Sequence, residues 1–277
     1  MSNIDEAEVK EPEVREYSFD EVNHIHTYIG KPLMGTSTIV NVLAKPLTWW
    51  ASGLAVSHLG WTNSKLRIGG KYKTVPLEER IAVALPRLEE IRGMDVEEFI
   101  ALLDDAYKAH SVKLTDSASA GTDLHAECEA YVKWRMGRGA ERQWADRIIP
   151  FIRWAEEEVE EFLWSELHCY SSELWVGGIT DCGVKLKNGK IGVLDFKSSK
   201  EAYISQFIQC AGYDLQLAEN GGFNAQGYPM FKLEKPIEFY GIIPFGAEEF
   251  KVDIRYNVEE LREGFKGAVV LYKLTNQ

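Results

Sequence analysis

The chain has 277 residues, 45% of them hydrophobic and 27% charged, a globular composition long enough for one large core or a core with a subdomain. No apolar run approaches the roughly 18 residues of a membrane span, and the opening "MSNIDEAEVKEPEVREY" is acidic where a secretory signal is basic and then apolar, so a cytoplasmic protein is expected. A net charge of -12 argues against a surface coated with phosphate-binding lysines, and four scattered cysteines without a C-x-x-C pair argue against a disulfide framework or a cysteine metal cluster.

That charge is unevenly spread. Residues 1–21 hold eight acids and two bases, which predicts a disordered acidic tail over 1–20, whereas residues 185–200 hold five lysines against Asp195 alone. After the tail, "VNHIHTYIGKPLMG" alternates and turns like a small hairpin. "TSTIVNVLAKP" begins with helix-capping hydroxyls and ends at Pro46, and "LTWWASGLAVSHLGW" reads as a second helix. Two charged, periodic helices follow between Pro76 and about Val112, the first interrupted at Pro86. These elements define an N-terminal hairpin and helical subdomain over 21–114, ahead of a core over 115–277. From "GTDLHAECEAYVKW" to about Phe162 the pattern is helical again, with Thr122 or Asp123 as N-cap. Trp144, Trp154 and Trp164 recur every ten residues, close to three helical turns, and read as packing residues, with base stacking as the alternative. Three β segments come next, "LHCYSSELWV", "GITDCGVKLK" and "KIGVLDFK", then the helix "EAYISQFIQCAGYDLQLAE", strands at "IEFYGIIPF" and "EFKVDI", and a helix from about Val258. This order predicts an α/β fold with a central mixed β-sheet flanked by helices.

Within "LDFKSSK", Asp195 and Lys197 flank Phe196 on an apolar strand, and strand alternation points both charges to one side. Alone, such a pair also describes a strand emerging into solvent. Asp181 lies on the preceding strand, and the two strands meet at "KNGK". A two-residue loop would set Asp181 against Phe196. A three-residue loop of Lys187, Asn188 and Gly189 pairs Leu186 with Lys190 and sets Asp181 opposite Asp195, with Gly189 in the left-handed conformation. Facing carboxylates repel unless a cation lies between them, so this register suggests a divalent ion such as Mg²⁺ or Mn²⁺. Asp181, Asp195 and the Phe196 carbonyl would supply oxygens, and Lys197 would act on the attacking water and offset charge on a phosphate. Lys185, Lys200 and Gln206 are expected to contact substrate. Gln206, Gln209, Tyr213 and Gln216 form one polar helix stripe, readable as part of the site or as a solvated face, opposite an apolar face of Ile204, Phe207, Ile208, Ala211 and Leu215. His125 and Glu129 share a helix face, as a ligand pair or as a structural histidine with its partner. Glu173 and Trp175 share a strand face, and Glu173 is open to a salt-bridge or a catalytic and metal-network role.

Taken in order, His125-x3-Glu129, Gly178-Ile179-Thr180-Asp181, Asp195-Phe196-Lys197 and Gln209-Cys210-Ala211-Gly212-Tyr213 resemble the RecB-type branch of the PD-(D/E)XK nucleases, which includes phage exonucleases and the mitochondrial genome maintenance exonuclease. The matching motifs run from Gly121 to Tyr213, about a third of the chain, and the segment 24–50 also looks like the front end of phage members. The resemblance implies a restriction-endonuclease-like core, with His125, Asp181, Asp195 and the Phe196 carbonyl as metal ligands and Lys197 as the catalytic lysine. Gln209 and Tyr213 would form the motif typical of the exonuclease branch. It implies a metal-dependent deoxyribonuclease acting on DNA ends or single strands, with recombination or replication proteins as partners. Family members with an iron-sulfur cluster carry a cysteine set that this chain lacks, so no cluster is carried over.

Overall fold

The computed structural model describes residues 16–44, 48–68 and 71–276. Its described chain divides into two compact units, one formed by the residues up to Ala44 together with Asp123–Gln277, the other by Lys45–Thr122. The division differs from the expected one in two ways: the N-terminal hairpin belongs with the C-terminal unit, and the boundary falls after Thr122 rather than near residue 114. Strands β1 (Tyr17–Asp20), β2 (Ile25–Tyr28) and β3 (Lys31–Pro32) form an antiparallel meander. Tyr17–Asp20 fall within the expected tail, yet their alternating burial and pairing with β2 make them a strand; residues 1–15 lie outside the described residues. Short β4 (Met34–Gly35) then pairs parallel with Val176 and Gly177 of the main sheet and leads into helix α1 (Thr36–Val40). Gly35, not a hydroxyl residue, occupies the N-cap of α1, because Thr36 spends its hydroxyl on the Gly177 carbonyl.

The second unit holds α2 (Thr48–Ser57), the hairpin β5 (Lys65–Ile68) and β6 (Lys71–Thr74), α3 (Leu77–Gly93) and the first part of α4 (Val96–Arg135). Arg80 and Arg87 donate to the Thr62 and His58 carbonyls and tie the loop after α2 to α3. Helix α3 runs through Pro86, since proline removes a single N–H bond and good helix formers resume the turn on both sides. Helix α4 likewise continues through "TDSASAGTD", so neither Thr122 nor Asp123 caps a helix there.

The main sheet begins after helix α5 (Ile149–Glu158). Its strands are β7 (Val159–Ser171), β8 (Val176–Leu186) and β9 (Ile191–Lys197). Helix α6 (Ile204–Asn220) follows, with short β10 (Gly222–Phe223) and β11 (Pro229–Phe231), then β12 (Phe239–Pro244), β13 (Asp253–Arg255) and α7 (Val258–Thr275). The order across the sheet is β11-β10-β7-β8-β9-β12-β13, with β4 beside β8. Neighbours are antiparallel except β9 with β12 and β4 with β8, so the sheet is mixed, and α6 is the crossover that lets β12 lie parallel to β9. Val193 and Tyr240 pack with Phe207, Cys210 and Phe265 of α6 and α7 on one face. Leu194, Phe196 and Val184 pack with Cys128, Tyr131 and Phe151 of α4 and α5 on the other. Thus the sheet is flanked by helices on both faces.

Strand β7 starts eight residues before the expected position, which places Trp164 on a strand and Trp154 on α5 rather than on one continuous helix. Trp164 is buried, and Trp144 and Trp154 pack at the edge of the α4–α5 core. All four cysteines are free and buried. Among the described residues, no helix is long and apolar enough to cross a membrane.

Candidate active site

The β8–β9 register decides the site. Cys182 pairs with Leu194, Gly183 with Val193 and Lys185 with Ile191, and the Leu186 N–H donates to the Lys190 carbonyl at 2.9 Å. Gly189 sits at φ +85°, with its N–H on the Leu186 carbonyl at 2.8 Å. That is the three-residue loop, and continuing its register sets Asp181 opposite Asp195. Both residues have the parity of Val193, so both face the α6 side of the sheet.

Helix α6 brings its polar stripe onto this face. Gln209 and Gln216 are buried, Tyr213 is 5% exposed and Ile204 is 57% exposed, so the stripe packs inward and is no solvated face. Gln209 Nε2 donates to the Tyr213 hydroxyl at 2.6 Å, and Gln216 Nε2 donates to Thr36 Oγ1 at 2.8 Å. Gly178 permits this packing: a Cβ there would lie 2.6 Å from Thr36 Oγ1 and 2.7 Å from the Tyr213 ring.

His125 of α4, Asp181, Asp195, Lys197, Gln209 and Tyr213 all border one cleft of about 430 Å³. Lys197 Nζ lies 2.7 Å from Asp195 Oδ2, yet that buried oxygen has no hydrogen bond of good geometry. Asp181 Oδ2 accepts the Phe196 N–H at 2.7 Å, and Asp181 Oδ1 lies 3.6 Å from His125 Nδ1. The Phe196 ring goes into the opposite core, 5.2 Å from Phe151.

These neighbours set the protonation states. Burial raises the Asp195 carboxyl above its usual range against the pull of Lys197, and Asp181 pushes the same way. For Lys197 burial opposes the charge, but Asp195 and Asp181 outweigh it and hold the ammonium above its ordinary pKa. His125 follows the same pattern: burial lowers it, and the adjacent Asp181 carries it above the usual imidazole value. Burial, reinforced by Asp195 and Asp181, pushes the Tyr213 phenol well up, so it keeps its proton.

Four expected residues lie elsewhere. Glu173 is exposed in the β7–β8 turn, where its N–H meets Glu219. Lys185 points to a different cleft and pairs with Glu160 at 2.8 Å. Gln206 accepts the Tyr203 N–H and caps α6, and Lys200 is exposed in the loop after β9. The lysine-rich stretch therefore splits, with Lys185, Lys187 and Lys190 at the hairpin end and only Lys197 at the site. Two contributions were missed. Glu166 of β7 has a carboxyl raised by burial and by Glu129 and Asp181, although part of it reaches water; a charge inside "FLWSELHCY" was its one sequence signal. The hairpin supplies Phe19, His24 and His26, and α1 supplies Ser37 and Thr38, to the same cleft.

Among the described residues, no three His, Cys, Asp or Glu side chains converge closely enough to hold a metal ion as they stand. The donor chemistry nonetheless suits a hard divalent ion: two carboxylates from adjacent strands, one with a buried oxygen free of hydrogen bonds, and an imidazole beside them. No protein-family model matches the chain, and no curated protein matches it.

Proposed function

We propose that the chain is a metal-dependent deoxyribonuclease, an exonuclease of phage-type replication, recombination or repair, hydrolysing phosphodiesters at DNA ends or in single strands on a PD-(D/E)XK-type core. The observation that carries this reading is the convergence in one cleft of Asp181 and Asp195 on facing strands, Lys197 on the same strand face, His125 from α4, and the Gln209–Tyr213 pair from α6. Asp181, Asp195 and His125 would hold a Mg²⁺ or Mn²⁺ ion. When bound, such an ion supplies Lewis-acid polarisation of the phosphate and acidifies the attacking water.

The chain's own residues do the rest. Lys197, kept charged by Asp195, presents an ammonium to the negative charge that grows on the phosphate as attack proceeds. Tyr213 keeps its proton and is oriented by Gln209, which makes its hydroxyl a donor to a phosphate oxygen. Asp181 is anchored by the Phe196 N–H, so the carboxylate is fixed before anything binds.

End-labelled single-stranded, duplex and circular DNA, each with and without Mg²⁺ or Mn²⁺, test the proposal. Metal-dependent release of nucleotides from linear but not circular substrates is expected, with Lys197→Met inactive. Cutting of circles would instead make the enzyme an endonuclease, and no cleavage of any substrate would reduce the site to a non-cleaving binding module.

A further inference from the structure

The cleft extends beyond the catalytic group onto a wall built from the N-terminal hairpin and the start of α1. Phe19 on β1 and His24 at the β1–β2 turn line it, with the hydroxyl residues Ser37 and Thr38 alongside. Phe19 is half-buried and His24 exposed. The two rings stand 5.9 Å apart, edge to face.

This wall is held rigidly. The Phe19 ring rests on His26 at 4.6 Å and on His168 at 4.7 Å. Behind them Tyr17, stacked at 4.9 Å on Tyr170, bonds through its hydroxyl to His26 Nδ1 at 2.7 Å. The turn that carries His24 is fixed by Asp20, whose carboxylate accepts the Val22 and Asn23 N–H groups and the Asn23 side-chain amide. An aromatic surface ordered before binding loses little entropy when a flat ligand lies on it.

The chemistry of this wall contrasts with that of the catalytic end. Asp181, Asp195 and Lys197 carry charge, whereas Phe19, Ser37 and Thr38 offer an aromatic face and neutral hydrogen-bonding groups. A nucleotide spanning the cleft would have its phosphate at the first and its base and sugar at the second. Inside a duplex both faces of a base are covered by its stacked neighbours, so an internal base must leave the stack before it can use a protein ring. A volume of about 430 Å³ falls within the small-ligand range and is open to such a base.

We propose that Phe19 and His24 form a stacking subsite for one unpaired nucleobase next to the phosphate being cut, which makes the substrate a single strand or a frayed end. This inference rests on the reading of the cleft as a phosphodiester hydrolase.

The experiment measures binding in EDTA, where cleavage is absent, by anisotropy of a fluorescein-labelled ten-residue thymidine oligonucleotide and of a same-length oligonucleotide with abasic residues. Wild-type protein should prefer the base-bearing strand by about ten- to a hundredfold, the range set by one protein–base stack. Phe19→Ala and His24→Ala should each lose much of that preference and leave abasic binding unchanged. Phe19→Leu retains apolar packing on His26 and His168 and should melt like wild type while binding the base-bearing strand more weakly. In wild-type protein, a 5-iodouracil strand should photocrosslink to the peptide containing Phe19 and His24, a readout that no unfolded variant can confuse. Equal binding of the two strands by wild type, an undiminished preference in folded variants, or a crosslink confined to other segments would overturn the subsite. Cleavage of linear DNA with Mn²⁺ is scored separately. A protein that cuts but ignores Phe19 sinks the subsite and spares the hydrolase reading, whereas base-dependent binding through Phe19 without cleavage upholds the subsite and sinks that reading.

Discussion

Replacing Lys197 by Met keeps most of the side-chain volume and removes the charge that faces Asp195. Asp195 is 2% exposed, and the ammonium 2.7 Å from its Oδ2 is its closest countercharge. Both the wild-type and variant carboxyls then have folded-state pKa values above the unfolded value near 3.9, so in both forms the contribution of this carboxyl to stability is fully present at low pH and is lost as pH rises. The wild type stops losing it once Asp195, pushed up by burial to about 6, ionises against Lys197. The variant carboxyl, with only the more distant His125 to favour its charge, stays protonated and continues to lose about 1.4 kcal/mol per pH unit. Between about pH 6 and 8 the stability gap should therefore widen by about 3 kcal/mol, having been nearly constant from pH 5 to 6. Urea denaturation of both proteins at pH 5, 6, 7 and 8 reads this directly, and Asp195→Asn with Lys197→Met should abolish the widening. Parallel curves for wild type and the single variant above pH 6 would show that Lys197 is not the countercharge of Asp195.

Gly189→Val should cost about 1–3 kcal/mol of backbone strain at φ +85°, with no atom within 4 Å of the new Cβ. It should leave the register intact, because a one-residue slip would turn Leu194 and Phe196 out of the core at about 1.5–3 kcal/mol each; β8–β9 amide exchange that differs from wild type would contradict this. Gly178→Ala should lower the melting temperature by several degrees, since its Cβ would press on Thr36 and Tyr213, and an unchanged melt would show that α1 and α6 yield easily. His26 and His168 are both depressed to about 4 by burial, so they fold neutral while the unfolded chain takes up protons below about 6.5. Stability should fall as pH drops from about 6.5 towards 4, by about 3 kcal/mol for the pair after allowance for partial solvent access, and a flat denaturation midpoint across that window would refute the assignment.

The site was legible wherever chemistry followed the period of the backbone. Loop parity alone settled whether Asp181 and Asp195 share a face, because strand side chains alternate strictly and Gly189 can adopt the conformation an odd loop demands. Helical spacing likewise put Gln209 and Tyr213 on one stripe, though it could not say which way that stripe faced. Polar residues on a helix ordinarily face water; here the facing strands β8 and β9 present two carboxylates and an ammonium, and the stripe turns inward to meet them. The lysine count misled for a related reason. Four of the five lysines lie along a hairpin and Lys200 in the loop beyond it, and at about 3.3 Å per residue Lys187 is roughly 20 Å from Asp181.

What escaped was the residue that breaks the period. Ser165 pairs with Cys182 and Leu167 with Thr180, so the ladder sets Glu166 opposite Asp181, next in line after Asp195. Regular alternation would then give three carboxylates in a row on one face. Instead Glu166 lies at φ +43°, and Trp164 and Leu167, three apart, pack into the same core. The local break turns Glu166 toward α4, where the charges acting on it include Glu129, Lys133 and His125. A left-handed glutamate carries no sequence signal comparable to the glycine of a tight turn, since its backbone is held by the packing of Trp164 and Leu167 on either side of it. The carboxylates on β8 and β9 are thus fixed by local chain geometry and the one on β7 by tertiary packing, and only the first kind is visible in a sequence.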